Sequence, residues 1–104
     1  MFKKYYKLTK ILIPIETAQG ERRVSATPGA VKKLKSLGCE VYVESSAGEL
    51  SGFNDFLYKE SGGEIFSESN TNIWENADVV LCVQTPSEFN LGKLKKGAIL
   101  LGLL

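Results

Sequence analysis

Short apolar runs alternate with stretches of helical period along the whole chain. Ile11-Leu12-Ile13-Pro14-Ile15 is predicted as a first strand, with Pro14 near its end, where a missing N–H does least damage. Thr27-Pro28 opens a helix: the threonine caps its first turn and the proline suits its first position. Val31, Leu34 and Leu37 recur at helical spacing, which predicts one stripe turned towards a core. Gly38 supplies a left-handed stop. Glu40-Val41-Tyr42-Val43-Glu44 reads as a second strand, followed by a Gly/Ser loop from Ser45 to Gly52. Asn54 or Asp55 can cap a short helix that carries Phe56, Leu57 and Tyr58 and ends at Gly62-Gly63. Ile65-Phe66 is a brief third strand, and Asn72 to Ala77 a short helix packed through Ile73 and Trp74. Val79 to Val83 is apolar without a break, as in a parallel strand covered on both faces. A loop through Pro86 leads to a last strand, Ala98-Ile99-Leu100-Leu101.

This alternation predicts an α/β fold: an open parallel sheet, Rossmann- or flavodoxin-like, with helices on both faces and right-handed crossovers. The chain then stops at Leu101-Gly102-Leu103-Leu104, with nothing polar to cover the last strand. An apolar strand left in water exposes both a face and an open edge. The expectation is therefore a truncated or incomplete domain over residues 10–104, prone to self-association, behind a basic extension over residues 1–9.

Composition narrows the class. A chain of 104 residues is one domain, and 43% hydrophobic residues with a net charge of +1 argue against disorder. The aliphatic run Ala98 to Leu101 falls far short of the ~20 residues of a membrane-crossing helix. The near-neutral total hides an asymmetry. Lys3, Lys4, Lys7 and Lys10 crowd the start without an acid, whereas residues 40–88 hold Lys59 alone against a large acidic majority. That acidic middle argues against a nucleic-acid partner. The lysines read as a solvated face, with a bound anionic surface or partner as the other reading. Histidine is absent, which removes imidazole as base, metal ligand or pH switch. Cys39 and Cys82 are far apart and form no Cys-x-x-Cys, and Cys82 sits inside an apolar run, so free thiols are expected. The first ten residues have charge but no leader-like apolar segment, and the chain reads as cytosolic.

Neither the Gly-x-Gly-x-x-Gly fingerprint nor a Walker pattern is present. Ala47-Gly48-Glu49-Leu50-Ser51-Gly52 is better explained by turn chemistry than by phosphate binding. No cofactor cradle, metal site or catalytic residue is therefore expected in this chain. Ligands of open α/β sheets bind at the carboxyl ends of the strands. Glu16, Arg22 and Arg23 follow the first strand there, and Gln84 and Thr85 follow Val79–Val83. Two readings of Arg23 stand side by side. In one it grips an anion with the Gln84 amide beside it; in the other it pairs with Glu16 or Glu21 and holds the loop.

Ile13-Pro14-Ile15-Glu16, then Gly20-Glu21-Arg22-Arg23-Val24-Ser25-Ala26-Thr27-Pro28, then Val31, Leu34 and Gly38, resembles the N-terminal signature of the alanine dehydrogenase and pyridine nucleotide transhydrogenase family. Val43-Glu44-Ser45-Ser46-Ala47-Gly48, Ala77-Asp78-Val79-Val80-Leu81 and the loop ending in Pro86 extend the likeness from about Lys10 to the last residue. Gly20, where the family often has Asn, and Ser25, where it usually has Ala, depart from it.

In the dehydrogenase branch, the resemblance implies, an Arg at the position of Arg23 holds the substrate carboxylate. A Lys at the position of Gln84 holds its carbonyl, and a His follows the last strand. Gln84 replaces that Lys here, and Val83-Gln84-Thr85-Pro86 looks more like the transhydrogenase alpha subunit. That branch implies a parent enzyme moving hydride between NAD(H) and NADP(H) with proton translocation. Its partners would be the NAD-binding remainder of a homodimeric alpha subunit and the membrane and NADP-binding subunits. The chain would sit at the membrane only through them. Arg23 and Gln84 would line the cleft without a chemical role, and the chain alone would bind no NAD or NADP and be inactive. The alternatives are a fragment of an alanine dehydrogenase and a non-enzymatic assembly module or gene remnant.

Overall fold

The computed structural model describes residues 8–67 and 72–102. Most of the expected basic extension and the terminal Leu103-Leu104 lie outside the described residues. Five strands form one sheet: β1 (Lys10–Ile13), β2 (Glu40–Glu44), β3 (Glu64–Phe66), β4 (Val79–Cys82) and β5 (Ile99–Gly102). Their spatial order is β3-β2-β1-β4-β5, and every neighbouring pair is parallel. Four helices, α1 (Pro28–Ser36), α2 (Asp55–Glu60), α3 (Asn72–Asn76) and α4 (Glu88–Leu91), lie between them. The predicted open parallel α/β sheet is the observed one.

Period-two alternation along the strands divides the core between the two faces. Ile13, Val41 and Val43 pack on one face with Val31 of α1, Tyr58 of α2, Ala26 and Ala47. Leu12, Val80 and Phe66 pack on the other with Trp74 of α3 and Ala77. β1 supplies both clusters because it lies in the middle of the sheet.

The ends of α1 follow the local chemistry. Thr27 Oγ1 accepts the Ala30 N–H at 3.1 Å, and Pro28 takes the first turn. At the other end Gly38 adopts φ +92°, a conformation open to glycine at no steric cost. That turn lets the Cys39 N–H reach Leu34 O at 3.2 Å and the Gly38 N–H reach Lys35 O at 3.0 Å, satisfying the last carbonyls. The same pair of bonds closes α2, from Gly63 to Tyr58 O and from Gly62 to Lys59 O, both at 3.0 Å. Asn54 is the cap of α2, its Oδ1 accepting the Leu57 N–H; Asp55 instead accepts from the Ser45 hydroxyl and the Ser46 N–H.

Some expectations fail for physical reasons. Leu37 was predicted to face the core with Val31 and Leu34, yet it is 68% exposed. Each three-residue step falls about 60° short of a full turn, and Leu37 is already the residue that leaves the helix. The first strand ends at Ile13, and Ile15 leaves the ladder to donate its N–H to Glu44 Oε1 at 3.0 Å. β4 is buried at Val80 and Cys82 but only partly at Val79 and Leu81. Leu81 packs at the edge of the first cluster, while Ile99 and Leu101 of β5 stand exposed. The predicted loop through Pro86 contains α4, capped by Ser87 Oγ on the Asn90 N–H.

Asp78 joins the amino ends of three strands. Its carboxylate accepts the Lys10 N–H at 2.8 Å and pairs with the Lys95 ammonium. Its main chain donates to Lys10 O and accepts from the Ile99 N–H, each at 2.9 Å.

Candidate functional site

In an open parallel sheet the crevice for a ligand opens where the strand order reverses, at the carboxyl ends. Here that point lies between β1 and β4. The segment after β1 carries Glu16, Glu21, Arg22 and Arg23; the segment after β4 carries Gln84.

Glu16 ties the two segments together. Its carboxylate accepts the main-chain N–H of Val83 at 2.8 Å and of Gln84 at 2.9 Å. Two N–H groups aimed at one carboxylate are satisfied without secondary structure, and the position of Gln84 becomes fixed relative to β1.

Arg23 and Gln84, the two residues singled out from the sequence, converge on a third. Arg23 donates from Nε to Glu21 Oε2 at 2.8 Å and from Nη2 to Glu21 Oε1 at 2.9 Å, a side-on bidentate pair. The Arg23 main-chain N–H adds a bond to Oε2 at 2.9 Å, and Gln84 Nε2 reaches Oε1 at 2.8 Å. The side chains differ sharply in exposure: 62% for Arg23 and 6% for Glu21. The Arg23 side chain, the Gln84 amide and the Arg23 N–H, in that order of weight, hold the Glu21 carboxyl at about 2 instead of 4.5. In return, Glu21 pushes the Arg23 guanidinium further up. Of the two readings of Arg23, the pairing with Glu21 is the geometry present.

A cavity of about 150 Å³ adjoins this cluster, bounded by Ile15, Glu16, Glu21, Arg23, Ser46 and Ala47. The Ala47–Gly52 loop on its far side is a 3-10 turn over Glu49–Ser51. The N–H groups of Ala47, Glu49, Ser51, Gly52 and Phe53 all bond to main-chain carbonyls of Glu44, Ser46, Gly48, Glu49 and Gly48 again. Those donors are spent inside the turn, as turn chemistry predicts for this Gly/Ser segment. Gly48 has a packing reason. A Cβ there would lie 2.6 Å from Tyr58 Cε2 and 2.8 Å from Phe53 O. Tyr58 is fully buried, donates its hydroxyl to Ala26 O at 2.8 Å, and has its phenol pushed up to about 12, chiefly by burial.

Among the described residues no group of three or more Cys, Asp or Glu side chains is arranged to hold a metal ion. Both cysteines are free thiols. Cys82 is buried, and burial first and the Glu16 charge second push its thiol up, away from nucleophilic use. Sequence reasoning named Arg23 and Gln84 and missed how Glu16 positions Gln84. The partners of Glu16 lie 67 and 68 positions away, beyond any local pattern.

Comparison with known proteins agrees with this architecture. Residues 12–104 match the family model described as alanine dehydrogenase/PNT, N-terminal domain. The chain is 35% identical over 95 residues to alanine dehydrogenase from Mycobacterium tuberculosis, covering 91% of this chain and 25% of that protein. It is 40% identical over 89 residues to alanine dehydrogenase 1 from Staphylococcus aureus, covering 86% of this chain and 23% of that protein. Among solved structures, a transhydrogenase from Sinorhizobium meliloti superposes with a TM-score of 0.83 at 33% identity, over 91% of this chain and 27% of the other. An L-alanine dehydrogenase superposes with a TM-score of 0.81 at 28% identity, over 90% and 26%. The chain thus spans about a quarter of the length of the relatives it matches. With the family model matched over nearly the whole chain and the fold shared, the chain belongs to the alanine dehydrogenase/PNT family of oxidoreductases and corresponds to its N-terminal domain.

Proposed function

We propose that this chain is the N-terminal part of an NAD(P) transhydrogenase alpha subunit, within an enzyme that passes hydride between NAD(H) and NADP(H) and couples it to proton translocation. The observation that carries this reading is Gln84. At the reversal point of the sheet it presents a neutral amide, bonded to Glu21 at 2.8 Å, where the dehydrogenase pattern would have an ammonium. An amide cannot hand a proton to a developing alkoxide, so carbonyl chemistry on a small 2-oxo acid lacks its acid here. The Sinorhizobium meliloti transhydrogenase and the L-alanine dehydrogenase superpose about equally well, so the choice of branch rests on Gln84.

In this reading Arg23 and Gln84 line the cleft without a step of their own. In the same reading, NAD and NADP are held by other domains and subunits. Among the described residues no helix is long and apolar enough to cross a membrane, and association with one runs through the membrane and NADP-binding partners. The chain alone transfers no hydride, because that step needs a positioned nicotinamide.

The alanine dehydrogenase reading is favoured by the curated relatives, which carry that name at 35% and 40% identity. One experiment separates the two. Membranes expressing the reading frame that carries this chain, together with its neighbouring genes, are assayed for reduction of an NAD analogue by NADPH. The same preparation is assayed for alanine-dependent NAD reduction. Hydride exchange without alanine turnover is expected. Alanine turnover without exchange would move the chain to the dehydrogenase branch.

A further inference from the structure

The register of the sheet sets the starts of β2, β1, β4 and β5 side by side on one rim. Lys10 heads β1 there. α1 ends at the same rim and brings Lys32, Lys33 and Lys35, all exposed, and the turn before β5 adds Lys93, Lys95 and Lys96. Against these stand Glu40, Glu75 and Asp78, and Asp78 already pairs with Lys95. The rim turns acidic only towards β3, at Glu60 and Glu64. At the carboxyl ends of the strands the balance is reversed: Glu16, Glu21, Glu44 and Glu49 outnumber Arg22 and Arg23.

Two leucines stand in water among the lysines. Leu8 is 51% exposed and Leu37 68%. The Glu40 N–H bonds to Thr9 O at 2.9 Å, so both leucines approach the rim beside the paired starts of β1 and β2. Exposed leucine flanked by lysine suits the surface of a bilayer, where apolar tips enter the headgroup layer and ammonium groups reach the phosphates. The sequence before Leu8, Met1-Phe2-Lys3-Lys4-Tyr5-Tyr6-Lys7, interleaves aromatic and basic residues in the same manner. A nucleic acid is the poorer match. Both arginines of the chain, the residue type best shaped for phosphate forks and base edges, follow β1 at the opposite rim.

We propose that the lysine-rich rim at the amino ends of β2, β1, β4 and β5 docks directly on an anionic phospholipid bilayer, with Leu8 and Leu37 entering the headgroup layer. A cluster of this many lysines is enough for reversible attraction to acidic lipids, and salt weakens it. The acidic rim is repelled by the same surface, so the charge asymmetry also sets which end of the sheet faces the bilayer. This contact goes beyond the proposed function, in which membrane association runs through partner subunits. Its test contains neither those subunits nor a nicotinamide, so either reading can fail without the other.

The test is flotation of the full chain with lipid vesicles through a density gradient, which separates vesicle-bound protein from self-associated protein. With equal parts of phosphatidylglycerol and phosphatidylcholine at about 0.1 M salt, the chain should float at least about tenfold more than with phosphatidylcholine alone, and about 1 M salt should release it. Combining Lys33→Glu, Lys35→Glu and Lys96→Glu should lower binding at least about tenfold. Leu37→Ser should lower it about threefold or more without changing its salt dependence. Arg22→Glu, at the other rim, should leave it within about twofold. The proposal is overturned if the wild type does not float, floats equally with both lipids, or binds polyuridylate while ignoring the vesicles. It is overturned as well if Arg22→Glu costs as much as the three lysine reversals together. If the reversals unfold the chain, acetylation of the wild type decides. Protection of Lys33, Lys35 and Lys96 by the mixed vesicles upholds the contact, and equal labelling with and without them overturns it.

Discussion

The two flanks of the sheet are built on different terms. On the β2–β3 side, α1 and α2 close over the strands, Tyr58 is fully buried and hydrogen-bonded to Ala26, and both helices end in satisfied left-handed turns. On the β4–β5 side, the strands carry the same kind of apolar residues, but Ile99 and Leu101 stand 53% and 54% exposed. Apolar strand sequence therefore does not secure burial. A covering helix has to be present, and on this face of β5 none is described.

Substitutions break the comparison from the packed side first. Tyr58→Ala should cost about 3–5 kcal/mol, read as a large drop in the urea midpoint, because it empties the centre of the covered flank. Gly48→Ala should cost about 1–3 kcal/mol by forcing a methyl against the Tyr58 ring and Phe53 O. Thr27→Ala should cost about 1 kcal/mol in the same measurement, since it leaves the Ala30 N–H without its cap.

The crevice between the flanks responds to acid. The Glu21 carboxyl is held at about 2 against 4.5 unperturbed, so its contribution to stability is complete above 4.5 and lost as the pH falls towards 2. Arg23 and then the Gln84 amide favour its charged form, and burial opposes it. Urea melts between those pH values should flatten in Glu21→Gln relative to the wild type; identical pH profiles would contradict the geometry. The smallest effect belongs to the bare flank. Leu101→Lys should change stability by less than about 0.5 kcal/mol, because the side chain loses little burial. A large loss there would mean that the flank is covered in solution.

Elements with strong punctuation were legible from the sequence. The Thr27-Pro28 start, the Gly38 stop and the Gly62-Gly63 ending are local instructions, and each lies where it was placed. The strands were legible because they are short apolar runs between breakers. α4 was not: its four residues, Glu88-Phe89-Asn90-Leu91, carry no apolar stripe, and Phe89 lies exposed beneath Lys93. At the crevice, Arg23 and Gln84 were legible from their places after strands, and Glu21 as one of two candidate partners. That Arg23 and Gln84 share a single carboxylate was not, because the bond from Gln84 spans 63 positions. Nor was the Glu44 bond to Ile15, which depends on where the first strand breaks.

Asp78 and Glu16 have a joint mechanical consequence. β1 and β4 share only two register pairs, yet Asp78 rivets their amino ends and Glu16 their carboxyl ends. A seam fastened at both extremities cannot serve as a hinge. Any bending of this domain therefore has to fall outside the β1–β4 seam.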